Sequence, residues 1–424
     1  MVKLIEKLFP ICRSLTGEGN RKTLQILKDE LPNLELKTIK SGTDVFDWQV
    51  PKEWKINDAY VKDSSGKKII DFKDSNLHVM SYSTPVNKKM NLSELKNHLI
   101  TKKETPNYIP YATSYYKENW AFCISYNQYK DLKEDEYEVV IDSKLFEGVM
   151  DYGELYVEGK SKKEILFSTY ICHPSLANDN LSGIYVLTEL AKYVSSQVDL
   201  QYSYRFLFVP ETIGVISWLS KNKNHLNSIE GGLVATCLGD DGNVHYKRSR
   251  KGDSMIDKIV EKVLMDSNCD YEISDFYPIG SDERQYCSPG INLNMGSLMK
   301  TPYLDYEEYH TSGDNLEFIS KKHLKISLNL YKKVVYYIEH NFCYLNTKPY
   351  CEPQLGKRGL YRTIGAKKEK SSEDMRKAFL WILNYSDGNH SLLDISKKSN
   401  IDFMIIKKAS MLLIEKELLE LKYL

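Results

Sequence analysis

A chain of 424 residues, 42% of them apolar and 27% charged, carries enough apolar material for at least one large core, which excludes a small stapled scaffold and a disordered tail. Its 58 Lys and Arg balance its 58 Asp and Glu, so no global charge for gripping nucleic acid is present. No apolar run approaches the roughly 20 residues of a membrane span, and the eight cysteines are scattered without a Cys-x-x-Cys pair, so the expectation is a soluble, cytoplasmic protein with free thiols and no membrane partner.

Residues 2–31 read as two short helices, one with the stripe Leu4, Ile5, Leu8 and one with Leu24, Ile26, Leu27, Leu31, and 34–39 alternates like a strand. Between about 45 and 137 the pattern shifts to short alternating segments (58–61, 68–72, 77–82) with turns such as Ser64-Ser65-Gly66, the mark of a β-rich module. From 137 to about 342 apolar runs at 164–171, 204–209, 232–237 and 291–295 alternate with helical stretches at 182–193, 214–220, 253–266 and 321–340. That alternation predicts an α/β fold with a mostly parallel sheet and helices on both faces, interrupted by the β-rich insertion. The expected divisions are 1–45 with 140–345 for the main domain, 46–139 for the insertion and 355–424 for a last unit.

The last unit shows helical periodicity at 375–382 and 403–419 around a short middle helix, with Ser391 as its cap; three such helices suggest a winged helix. Lys397, Lys398, Lys407 and Lys408 allow a nucleic-acid reading, but Glu415, Glu417 and Glu420 dilute the patch and favour a docking or dimerisation face. A homo-oligomer is compatible with this, through the last unit or the insertion.

Ligands of α/β sheets bind beyond the carboxyl ends of strands, so polar residues following apolar runs are the first candidates. One run ends in Cys172-His173-Pro174 and leads to Asn178-Asp179-Asn180-Leu181-Ser182-Gly183; the next ends in Pro210-Glu211-Thr212-Ile213-Gly214. Later come Gly280-Ser281-Asp282-Glu283-Arg284-Gln285-Tyr286 and Tyr309-His310-Thr311-Ser312-Gly313-Asp314. Two histidines and two carboxylates on such ends can build a hydrolytic zinc site, because neutral imidazole and carboxylate oxygen suit zinc and leave a position open. Taken singly, His173 reads equally as a structural histidine and Glu211 as a helix-start charge.

Together these motifs resemble the zinc-dependent aminopeptidases with co-catalytic metals. The resemblance implies His173, Asp179 and His310 as metal ligands, Glu211 as general base and a cis peptide at Asp179-Asn180. A closer resemblance is to a bacterial group of aminopeptidase-like proteins linked to polysaccharide biosynthesis, through Pro10-Ile11-Cys12-Arg13-Ser14-Leu15-Thr16-Gly17, the Val45 to Trp54 segment and Asn76-Leu77-His78. That group carries the insertion and a C-terminal winged helix, so the resemblance covers the whole chain.

Two positions depart from the aminopeptidase pattern. Thr212 stands where the second glutamate ligand is expected, and Thr236 or Cys237 where the strand-end aspartate is expected, with Asp240 and Asp241 nearby. The remaining three ligands predict one zinc rather than two. The implied activity is hydrolysis of an amide in a small peptide or amino-acylated sugar, with Glu211 moving the proton. Arg284 would orient a substrate carboxylate, stabilise an oxyanion or pair with a neighbouring acid, and Asp282 would hold a histidine. A single-zinc acyl transferase or cyclase, and a non-catalytic scaffold acting through the winged helix, are the alternatives.

Overall fold

The computed structural model describes residues 2–115, 117–360 and 370–422. The chain divides into two compact units, Met1–Ile256 with Asp270–Asn329, and Asp257–Cys269 with Leu330–Leu424.

In the first unit the two expected N-terminal helices form at Lys3–Leu8 and Glu18–Glu30. Eight strands build a central sheet: β1 (Glu35–Lys40), β2 (Val149–Val157), β3 (Glu164–Tyr170), β4 (Ser203–Val209), β5 (Ile229–Ala235), β6 (Val244–Lys247), β7 (Tyr271–Ser274) and β8 (Met295–Met299). Their order is β1-β2-β4-β3-β5-β8-β6-β7. The middle of the sheet, β4-β3-β5-β8, is parallel as expected. The flanks are not: β1 with β2, β2 with β4 and β6 with β8 pair antiparallel, so the sheet is mixed.

Every residue of β3 is buried, which is why its sequence is apolar on both faces. Phe167 stacks on Phe206 of β4 with ring centroids 5.6 Å apart. Each such fully buried side chain contributes about 1.5–3 kcal/mol relative to exposure. β2 escaped the sequence reading because acids interrupt it. Its buried Glu154 is paired by Lys37 and Arg205 and accepts from Trp218 Nε1 at 3.1 Å, so polar letters sit in a buried strand.

Two further expectations are corrected. The last apolar run places its strand at Met295–Met299, four residues beyond the expected 291–295, because Asn292 takes a left-handed conformation (φ 50°) that no strand continues through. The segment 77–82 is not a strand. Ser75 caps a 3₁₀ turn at Asn76–His78 by accepting from Leu77 N at 3.3 Å, a local bond that competes with ladder pairing.

The β-rich insertion is a four-stranded antiparallel sheet, Lys68–Asp71, Glu53–Lys62, Glu136–Phe146 and Val86–Asn91 in spatial order. Trp54, Ala59, Val61, Val139 and Ile141 are among its buried residues.

In the second unit, helices Lys370–Tyr385, Leu392–Ser399 and Phe403–Glu415 accompany a three-stranded antiparallel sheet of Asp387–Ser391, Cys343–Asn346 and Leu419–Leu421. This is a winged helix. Ser391 caps its middle helix in a reciprocal capping box with Asp394, as its position in the sequence predicted. Of the expected basic face, Lys397 pairs with Glu261 at 3.1 Å, and Lys407 lies over the Phe342 ring with its pKa lowered by burial. Residues 361–369, part of the stretch assigned from sequence to this domain, lie outside the described residues. Among the described residues no helix is long and apolar enough to cross a membrane.

Candidate metal centre

β3 and β4 run side by side in the same direction, so the segments carrying His173 and Glu211 leave the sheet at one edge. The loop after β3 turns back through Asp179 into the helix Gly183–Ser195. A Cβ on Gly183 would stand 2.4 Å from Ala235 O, so glycine alone lets this loop close on β5. Asp314 fixes the loop from the other side, its carboxylate accepting from Asn178 N at 2.5 Å and Asp179 N at 2.8 Å. The Asp179-Asn180 peptide is cis.

His173, Asp179 and His310 come together: one donor atom from each lies within 4.8 Å of the others. Asp179 Oδ2 is 2.9 Å from His310 Nε2 and 3.9 Å from His173 Nε2. Both Asp179 Oδ2 and His310 Nε2 are buried without a hydrogen bond of acceptable geometry. Buried polar atoms converging without partners fit a shared cation, and the donor set, two nitrogens and one carboxylate oxygen, fits zinc. The protonation states agree. Burial pushes His173 down to about 4, keeping it neutral. Burial opposes the Asp179 charge, but the two imidazoles and the Tyr170 hydroxyl outweigh it and hold the carboxylate at about 2.

Glu211 stands beside this cluster, its Oε2 3.8 Å from His173 Nε2. Desolvation, then the charges of Asp282 and Asp179, raise its pKa well above the ordinary carboxylate range, with Arg284 pulling the other way. The backbone that carries it is strained: the next residue, Thr212, has φ 62°, a conformation costing a β-branched residue about 1–3 kcal/mol. Two predicted residues hold that turn. Asp282 Oδ1 accepts from Thr212 N at 2.7 Å, and Arg284 Nη2 donates to Thr212 Oγ1 at 3.1 Å. Asp282 therefore braces the Glu211 turn, not a histidine. Burial raises it to about 7, against the bond from Thr212.

The two departures from the aminopeptidase pattern are both occupied by protein. Thr212 Oγ1 faces Arg284, and Thr236 Oγ1 lies 2.6 Å from Tyr170 OH, which in turn donates to Asp179. Cys237 is buried with its Sγ 3.8 Å from Tyr306 OH. Asp240 is bound by Asn178 and Thr301, and Glu283 forms a buried ion pair with Lys247 at 2.6 Å. Neither carboxylate faces the cluster as a spare ligand or amine-binding group.

Three residues that sequence reasoning did not pick complete the site. Tyr170 supplies the hydroxyl on Asp179, and Arg13, buried in the Pro10 to Gly17 motif, donates from Nε to His173 O at 2.9 Å. Tyr111 comes from the insertion. Its N donates to His310 O at 2.8 Å, Ser312 N donates to Ile109 O at 2.8 Å, and its ring lies 5.0 Å from that of His173 and 5.2 Å from that of His310. The insertion thus packs against the His173–Asp179–His310 cluster. Arg13 belonged to a quoted motif, whereas Tyr111 stands in irregular sequence with no periodic signal.

Known proteins share the sequence and the fold of this chain. Residues 2–341 match the family model described as domain of unknown function DUF4910, and residues 342–421 match a winged helix-turn-helix model. A protein of Clostridium acetobutylicum, provisionally named a polysaccharide biosynthesis protein with an aminopeptidase-like domain, is 55% identical over 418 residues, 99% of this chain and 95% of its own. A crystal structure from C. acetobutylicum, provisionally described as a peptidase, superposes with a TM-score of 0.93 at 54% identity over 99% of this chain and 95% of that one. The zinc aminopeptidase of Bacillus subtilis shares the fold at 14% identity, with a TM-score of 0.58 over 79% of this chain and 92% of its own.

Proposed function

This chain belongs to the DUF4910 family, as an aminopeptidase-like protein of the polysaccharide biosynthesis group, and on that premise we propose that it is a single-zinc hydrolase cleaving an amide bond in a small peptide or amino-acylated sugar. The observation that carries the reading is the convergence of His173, Asp179 and His310 on one point, with two buried donor atoms left unpartnered and the Glu211 carboxylate beside them.

Zinc held by those three residues would supply Lewis acidity to a carbonyl and to water at the site. The chain does the rest. Glu211, its pKa raised by burial and by the charges of Asp282 and Asp179, takes the proton from the attacking water and returns it to the departing nitrogen. Asp282 and Arg284 act through the strained Thr212 turn to aim that carboxylate, which makes them positioning residues. Tyr170 keeps Asp179 oriented and Tyr111 shields the two imidazoles from bulk water.

The test is release of amine from a panel of short peptides and amino-acylated sugars by the zinc-loaded protein. Turnover that falls about 10²–10⁴-fold in Glu211→Gln supports hydrolysis. Acyl transfer or cyclised product in place of hydrolysis would shift the reading to the transferase or cyclase alternative.

For the winged helix we propose docking to protein rather than to nucleic acid. Its support is that Lys397, Lys398 and Lys407 are engaged within their own unit and that Glu415, Glu417 and Glu420 dilute the basic patch along the sequence. Duplex DNA binding that weakens steeply with salt would overturn this.

A further inference from the structure

The third helix of the winged-helix unit, Phe403–Glu415, is apolar on two sides. Phe403, Ile406, Ala409 and Leu413 make its inner side and are buried. A helix that meets only water on its outer side carries polar residues there. Here Met404, Met411 and Ile414 stand on the outer side at 44%, 57% and 40% exposure, flanked by half-buried Ile405 and Leu412. Spacings of three, four and seven residues put them on one face with exposed Lys408 and Glu415. Single exposed apolar residues are ordinary, but this run of them along about 15 Å of one helix makes a patch. Such a face does not suit a duplex groove, whose phosphates and base edges call for a basic and polar helix.

We infer that this face pairs with the same face of a second copy of the chain, the two helices running antiparallel. The charges select that partner. The point midway between Lys408 and Glu415 falls between Met411 and Leu412. A two-fold axis through it sets Lys408 of each copy beside Glu415 of the other, with Met411 and Leu412 of both copies at the centre. The face is therefore complementary to itself in charge as well as in apolar character. A parallel pairing would set like charge against like. In the single chain Glu415 pairs with the adjacent Lys416 at 2.9 Å, an exposed ion pair of the weak kind that a lysine of the other copy can replace. The inference rests on the protein-docking reading of the winged helix and names its partner. A contact one helix long lies at the weak end of specific interfaces, below about 1,200 Å², so the dimer should dissociate in the micromolar range.

The experiment is sedimentation velocity on the full chain from about 1 to 200 μM, which should show a reversible monomer–dimer equilibrium. Met411→Asp should abolish the dimer; because the side chain is exposed, an unchanged melting temperature will show that the fold is kept. Lys408→Glu should weaken the dimer by about tenfold or more, and combining it with Glu415→Lys should restore it, a rescue that dimerisation through another face would not give. A monomer throughout the range, a dimer indifferent to Met411→Asp, or failure of the combined exchange to restore what Lys408→Glu loses would overturn the inference and leave protein docking standing with a different partner. Salt-sensitive duplex DNA binding that is lost in Met411→Asp would overturn both readings.

Discussion

The ring of Tyr111 lies 5.0 Å from the ring of His173, although the two residues stand in separate loops of the first unit, outside any strand. Segment 109–111 of the insertion pairs with the turn that carries His310, through the bridge Pro110 to Thr311 and the bonds at Tyr111 N and Ser312 N. The insertion is thereby part of the candidate site. Tyr111→Ala should keep its zinc and lower kcat/KM by about tenfold or more, by admitting water to the cluster. Steady-state kinetics with elemental analysis checks this, and unchanged kinetics would mean that the ring only fills space.

Asp282 and Glu211 form a second relationship that can be separated experimentally. Asp282→Ala removes the acceptor for Thr212 N, leaving a buried donor unsatisfied at a cost of about 1–3 kcal/mol, and frees a strained turn to relax. Both stability and kcat should fall, with KM little changed. Asp282→Asn retains an acceptor and should recover most of the stability, whereas a purely catalytic role for the carboxylate would leave it as inactive as the alanine variant.

What could be read in the sequence follows from how local each signal is. His173, Asp179 and Glu211 each follow an apolar run that became β3 or β4, so strand ends marked them as candidates, and the family resemblance supplied their roles. His310 and Asp314 were placed by motif order. Tyr111 was invisible because the bonds that put it over His173 join segments about 200 residues apart and depend on no period. The same holds for the Lys247–Glu283 ion pair, whose members look like surface charges in sequence and are fully buried. β2 was missed because Glu154 is acceptable in a buried strand only once Lys37 and Arg205 arrive from other strands.

The insertion carries a pH-dependent contribution to stability. His78 is buried with Nδ1 2.8 Å from Cys123 O, and burial lowers its pKa below the ordinary value of about 6.5, against the pull of that carbonyl and of Asp74 and Asp71. Below about pH 6.5 the unfolded chain therefore binds a proton that the folded chain does not. Stability is fully present above that pH and declines as pH falls toward the lowered folded value. Urea titrations at pH 7.5 and 5.5 should show a larger loss for the wild type than for His78→Asn, which keeps a donor for Cys123 O and cannot titrate. Equal losses in the two proteins would assign the pH effect elsewhere.

The number of metal ions is the sharpest prediction, because the geometry speaks against a second one. A two-zinc site needs further carboxylates on either side of Asp179, and the positions that would supply them hold Thr212, bonded to Arg284, and Thr236, bonded to Tyr170. Asp240 and Glu283 are held elsewhere by Asn178, Thr301 and Lys247. Elemental analysis should find one zinc per chain, lost in His173→Ala and His310→Ala and retained in Glu211→Gln. The same ion links to folding, since binding to the native state alone stabilises by about 2.7 kcal/mol at a free concentration 100 times Kd. Chelation should therefore lower the melting temperature of the wild type and of Glu211→Gln but not of the two histidine variants. Two zincs per chain in the wild type, or a melting temperature indifferent to chelator, would rule out the three-ligand site.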